Sequence, residues 1–323
     1  MNLRWTEKPE RLKFYWPILF LFLVTFLSCQ KKTTLKPLKK NYRATAAISL
    51  LNVHDTTISY DSISGGAVAC INLTNCRNIH ITQCKLMNSA LHGIFMNGCV
   101  NITIDSNYFY KVATGIFAYN SQGIQVKSNQ FKDMQGPYPL GQFVQFNHVS
   151  GSGNCFINNR GENITGESNA EDDINMNASN GVASSPIMIS GNWIRGGTSK
   201  SGGGIVLGDN GGSYQTAQNN ILVNTCGYGI GIADGTNMQI IGNQIYGEKT
   251  SISNVGICVQ DFYGIACSLN TITNNIVNWT NSAGLRNDSW NAGNCGTVMG
   301  WDNNTWNANI NVSILPPTII TYE

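Results

Sequence analysis

Asn101-Ile-Thr-Ile-Asp-Ser-Asn-Tyr-Phe-Tyr110 and Gly123-Ile-Gln-Val-Lys-Ser-Asn-Gln-Phe-Lys132 carry one pattern twice. An apolar residue is followed, after two residues, by Asn, and one residue later by a second apolar residue. The triplets are Ile104–Asn107–Phe109 and Val126–Asn129–Phe131. Read outward from these two, the pattern occurs nine times between Asp61 and Asn275. The Asn column runs Asp61, Cys84, Asn107, Asn129, Asn159, Asn192, Asn220, Asn243 and Asn275, at intervals of 23, 23, 22, 30, 33, 28, 23 and 32 residues. The position two residues later is apolar throughout except at Gly161. A unit near 22 residues, lengthened in some copies, is the signature of a solenoid.

Strands build this unit. Asn101–Asp105 and Gly123–Lys127 alternate with a period of two, which helices do not. A second apolar pair recurs in each unit, for example Ile94/Met96, Ile116/Ala118 and Ile174/Met176, with Gly, Asn, Asp and Ser between as tight turns require. Short strands stacked copy on copy predict an all-β, single-domain parallel β-helix of about nine rungs over residues 47–323. Rungs spaced by about 4.8 Å would bring the turn asparagines close enough to bond one another.

The repeat over 55–310 resembles the right-handed β-helix of the pectate-lyase-like superfamily, and the hand is what that resemblance implies. Ala170-Glu-Asp-Asp-Ile-Asn175 and Ser201-Gly-Gly-Gly-Ile-Val-Leu-Gly-Asp209 look like stretches of bacterial β-helix proteins described by their repeat. The resemblance implies an exported polysaccharide lyase or glycoside hydrolase. The Gly-His-Gly motif of polygalacturonases and the Asp-Pro-His-Asp motif of alginate epimerases are absent, which disfavours those two activities.

Residues 1–28 are read as a lipoprotein signal peptide. Basic residues precede the run Ile18–Val24, and Ser28-Cys29 ends it, the order of a secretory signal. The end resembles a bacterial lipobox, which implies lipid attachment at Cys29, a Lys-rich tether over 29–46, and a lipid-anchored address in the bacterial envelope. Gln30 after the cysteine favours the outer membrane. Residues 47–323 hold ten Lys/Arg against sixteen Asp/Glu, so the exported part is acidic and nucleic acid is excluded as a partner. Most of the ten cysteines fall in strand or ladder positions and read as buried thiols. Cys267 and Cys295 lie in irregular segments, where a bridge is an open alternative.

The long copies are where a site can sit. Their added length falls in 132–142, 160–173, 195–203 and 246–255, and stacked loops of adjacent rungs can wall a cleft. The loop 160–173 ends on Glu171-Asp172-Asp173, whose mutual repulsion calls for compensation. Candidate catalytic residues are Glu171, Asp172, Asp173, Arg195, Asp209 and His148. Gln145, Asn147, Asn175, Asn177 and Lys200 are candidate substrate-binding residues, above a floor read as glycine-lined at Gly202–Gly204, Gly208, Gly229 and Gly231. In a lyase, Glu171 and Asp172 would hold a cation such as calcium, and Arg195 or Lys200 would take the proton. In a hydrolase, two carboxylates among 171–173 and Asp209 would act as acid and base. The expected partner is a polysaccharide or oligosaccharide. A reading of another class is a non-catalytic glycan-binding or envelope-structural lipoprotein. Trp279, Trp290, Trp301 and Trp306 read as a cap over 278–323, because a solenoid end must be covered.

Overall fold

A computed structural model describes residues 41–322, so the signal segment, Cys29 and most of the tether lie outside the described residues. Strands wind coil on coil into three sheets, in each of which neighbouring strands are parallel and come from successive coils. One coil runs from His92–Asn97 on the first sheet to Val100–Asp105 on the second and Tyr108–Tyr110 on the third, before Thr114–Tyr119 returns to the first. The first strand, Arg43–Thr45, pairs with Asp61–Ser64, so ordered structure begins inside the stretch read as tether. Arg43 there bonds Asp61 through Nε (2.8 Å) and Nη2 (3.1 Å).

The Asn ladder forms at the turn between the second and third sheets. The residue before each ladder position is left-handed, as at Ser106, Ser128, Asn158 and Asn219, or is glycine, as at Gly191 (φ 66°) and Gly242 (φ 65°). That conformation is cheapest for Gly and Asn. Asn220 shows the bonding. Its Oδ1 accepts from the Asn192 backbone N (3.0 Å) and Nδ2 (2.8 Å), while its own Nδ2 donates to Ile189 O (3.0 Å) and Asn243 Oδ1 (2.9 Å). Each buried amide thus ties three coils. A tenth member, Asn304, accepts from Asn275 N and Nδ2. Trp301–Asn304–Trp306 fits the repeat with tryptophan in both apolar columns, so this coil was written in the sequence and only its bulk disguised it.

Inside, one continuous apolar core fills the solenoid. Phe109 and Phe131 stack with centroids 4.6 Å apart. Gly161 breaks the column because Phe143 occupies its place: a Cβ on Gly161 would lie 2.2 Å from that ring. Trp279 is fully buried at the C-terminal end, and Trp301 and Trp306 pack on the core. Those three cap the solenoid; Trp290 remains 46% exposed. Cys267 and Cys295 form a disulfide, and the other seven described cysteines are free thiols, six of them buried.

The C-terminal segment turns back across the outer face of the third sheet. Arg195 donates to Pro316 O (2.6 Å) and Pro317 O (2.9 Å), Arg160 to Ile319 O (3.2 Å), and Gln130 Oε1 accepts from Thr321 N (2.6 Å). Leu315 and Ile319 pack with Val223 in a separate apolar cluster. Arg195→Ala is therefore expected to lower stability by about 1–2 kcal/mol and to speed proteolysis of the tail, with ligand binding unchanged. Wild-type melting and proteolysis, measured side by side, would show that the strap does not depend on this clamp.

Candidate functional site

Loops joining the third sheet to the first line one edge of the first sheet: 133–143, 164–173, 197–204 and 248–254. The sequence placed all added length there. Part of it lies instead at the opposite edge, in 181–186 and 260–266, and the second of these raises a second wall through Gln260, Phe262 and Tyr263. Between the walls lies a cavity of about 710 Å³.

Its floor is a column of outward side chains set by strand register. Gln145 pairs with Asn175, Asn175 with Val206, Val206 with Gly231, Gly231 with Cys258 and Cys258 with Trp290. Counting by strict alternation puts Gly208 opposite Asn177. The structure puts Asp209 there, because a bulge inserts Gly208 as an extra residue and turns the next side chain outward. Gly208 has φ +64°, and a Cβ on it would fall 1.9 Å from Asp234 O, so no other residue fits the bulge. Asp209 is consequently on the floor. Its Oδ2 accepts from Asn175 Nδ2 and Asn177 Nδ2 (both 2.9 Å) and its Oδ1 from Tyr263 Oη (2.8 Å).

A second column lies three residues before the floor positions: His92, Thr114, Gln142, Asp172, Gly203 and Tyr228. Several of its members are hydrogen-bonded to one another or to the adjoining Glu171. Thr114 Oγ1 donates to Gln142 Oε1 (3.2 Å), and Gln142 Nε2 donates to Glu171 Oε2 (3.2 Å). Asp172 Oδ1 accepts from Gly203 N (2.9 Å) and Tyr228 Oη (2.5 Å), and its Oδ2 from Asn175 Nδ2 (3.1 Å). One amide, Asn175, therefore spans the carboxylates of Asp172 and Asp209. Loops of unequal length precede these strands, which hid the column from forward counting.

The three acids of 171–173 differ sharply. Glu171 is half-buried on the cavity, where burial and the charges of Asp172 and Asp209 push its carboxyl up to about 7. Asp172 is also raised by burial, against the pull of its three donors. Asp173 lies inside the solenoid, with Oδ1 on Asn163 Nδ2 (2.8 Å) and Oδ2 buried without a partner. Burial holds it well above the ordinary range, which favours its neutral form.

Glu171, Asp172, Asp209, Gln145, Asn175 and Asn177 all line the cavity. Five candidates do not: Asp173 is interior, and the other four lie elsewhere. Arg195 is on the third sheet, bound to Glu162 (3.2 Å) and the C-terminal strap. Lys200 borders a separate, shallower cavity with Ser251 and Ser282. His148 is exposed at a turn, edge-on to Tyr119, and Asn147 lies on the same sheet beyond the cavity's end. Among the described residues that line the cavity there is no lysine, arginine or histidine. The glycine floor is also corrected. Gly204, Gly229 and Gly256 face inward, where a Cβ would meet Leu222, Ile245 and Val277, and Gly203 makes room for the Tyr228 ring. Only Gly231 is on the floor. As for calcium, Asp172 already accepts three hydrogen bonds, and no group of three or more His, Cys, Asp or Glu among the described residues is placed to hold a metal ion.

Tyr228, Phe262, Tyr263 and Trp290 also line the cavity and are not among the candidate site residues read from the sequence. Tyr228 stands 56 residues from Asp172, and Tyr263 54 from Asp209; their aromatic character on late coils was the available signal. A family model described as the right handed beta helix region matches residues 46–185. No curated protein matches the chain. With three parallel sheets wound coil on coil and that match over its N-terminal coils, the chain is a right-handed parallel β-helix protein.

Proposed function

We propose that the protein is a carbohydrate-active hydrolase, with Glu171 as general acid and Asp209 as the second carboxylate. The observation that carries this reading is a pair of carboxylates facing one cavity with different environments. Glu171 holds a proton near neutral pH, while Asp209 accepts three N–H and O–H donors in the manner of a carboxylate acceptor. Two acids kept in opposite roles by environment are what glycoside cleavage requires. Glu171 gives its proton to the departing glycosidic oxygen. Asp209 either takes a proton from the attacking water or attacks the anomeric carbon itself. Asp172 is a positioning residue that fixes Asn175, Gly203 and Tyr228. Exposed Tyr138, Tyr263 and Trp290 supply faces on which sugar rings stack.

Elimination is less well supported, because the bases it would use, Arg195 and Lys200, lie elsewhere, and the cavity lining offers acids but no lysine, arginine or histidine to take the proton. The test is incubation of the folded domain with neutral and acidic polysaccharides. New reducing ends without a near-ultraviolet chromophore are the expected product; the chromophore would mean elimination. A glycan that is retained but yields neither product would favour the binding-only reading.

The envelope address is part of the same proposal and rests on the Ser28-Cys29 sequence. Fatty-acid labelling is expected to mark the wild-type chain and to miss Cys29→Ser. Equal labelling of both chains would remove the lipid anchor from the reading.

A further inference from the structure

We propose that the glycan surface continues past the cavity toward the N-terminal coils, where Phe95 and Phe117 form a stacking platform for further sugar rings of a neutral, extended chain. The inference rests on the glycan reading of the cavity and adds the length and charge class of its ligand.

Strand register carries the argument. Phe95 pairs with Phe117, and Phe117 with Gln145, so the two rings occupy the outward column whose next members are the cavity floor. Both are half-buried on the outer face of the sheet. Their centroids lie 5.9 Å apart with planes within 18° of parallel, so the two rings stand as nearly parallel plates along the column. His92 packs against both rings, at 5.4 and 5.1 Å, and fixes them from the side. Burial pushes its imidazole down to about 4, so it is neutral and the platform carries no charge. The adjoining outward column, Asn97, Tyr119 and Asn147, offers amides and a hydroxyl along the platform's edge. Aromatic faces bordered by such groups match a sugar ring, which has C–H bonds on its faces and hydroxyls at its rim. Coils repeat every 4.8 Å or so along the axis, so successive rings of one chain can meet successive coils. Asn147, outside the cavity, then belongs to the same binding surface.

The experiment is affinity electrophoresis, in the cold to limit turnover, through gels containing neutral glucan, xylan, mannan or galactan. Wild type is compared with Phe95→Ala/Phe117→Ala and with Phe95→Tyr/Phe117→Tyr. Loss of two stacking faces is expected to weaken retardation by the recognised polymer about tenfold or more, while the tyrosine pair keeps it. Reducing-end release from three-sugar fragments, too short to span both the cavity and the platform if they occupy the cavity, should stay at the wild-type rate in both variants. Wild-type retardation of the alanine pair would overturn the platform and leave the cavity reading standing. Folded wild type retarded by no polymer would overturn both. Equal loss in the alanine and tyrosine pairs would assign the rings a packing role and overturn the platform.

Discussion

Asn220→Ala is expected to destabilise the domain by about 2–5 kcal/mol, among the largest losses for any single side chain outside the apolar core. The amide accepts twice from Asn192 and donates to Ile189 O and Asn243 Oδ1, and it is wholly buried. Removing it strands at least the Asn192 N–H and the Ile189 carbonyl away from water, at about 1–3 kcal/mol each. In a domain of this size the melting temperature should fall by about 5–15 °C. Asn147→Ala is the control, an outward amide beyond the ladder, and should melt within about 2 °C of wild type. A wild-type melt for Asn220→Ala would mean that strand pairing alone holds the turn.

Glu171→Gln and Asp209→Asn are each expected to reduce hydrolysis by about 10²–10⁴-fold while the domain stays folded. Their pH dependence separates charge from packing. The folded chain holds the Glu171 proton up to about pH 7, whereas an ordinary glutamate loses it near 4.5. The stability this group contributes is therefore complete below pH 4.5, declines as pH rises through 7, and is absent above that. Glu171→Gln should match wild type in a melt at pH 4 and equal or exceed it at pH 8. Lower stability of the variant at pH 8 would show that the carboxylate is held by a favourable partner, and would withdraw its role as the acid.

Both members of the Glu171/Asp209 pair were named from the sequence, but the position of Asp209 was not legible there. Glu171 stood out because three adjacent acids before a strand repel one another. Asp209 was singled out by charge, yet alternation put it on the wrong side of its strand. The Gly208 bulge, which turns it onto the floor, depends on the close approach of Asp234 O from the next coil. Arg195 is the converse case. Its charge beside an acidic loop suggested chemistry, but the strap that occupies it is 121 residues away, and nothing in its local sequence points there.

The sequence by itself determined the solenoid. Repetition places identical residues in identical environments, so the ladder, the apolar columns and the tight turns can be read from spacing alone; even Asn304 obeyed it. Tertiary structure decided the site. It is assembled where the repeat is broken, by a bulge and by loops of unequal length. Their side chains meet across coils, at Asp172 with Tyr228 and at Asp209 with Tyr263. Such contacts are set by how far each loop reaches and which way a bulge turns the chain, and both are fixed only when the neighbouring coils are in place.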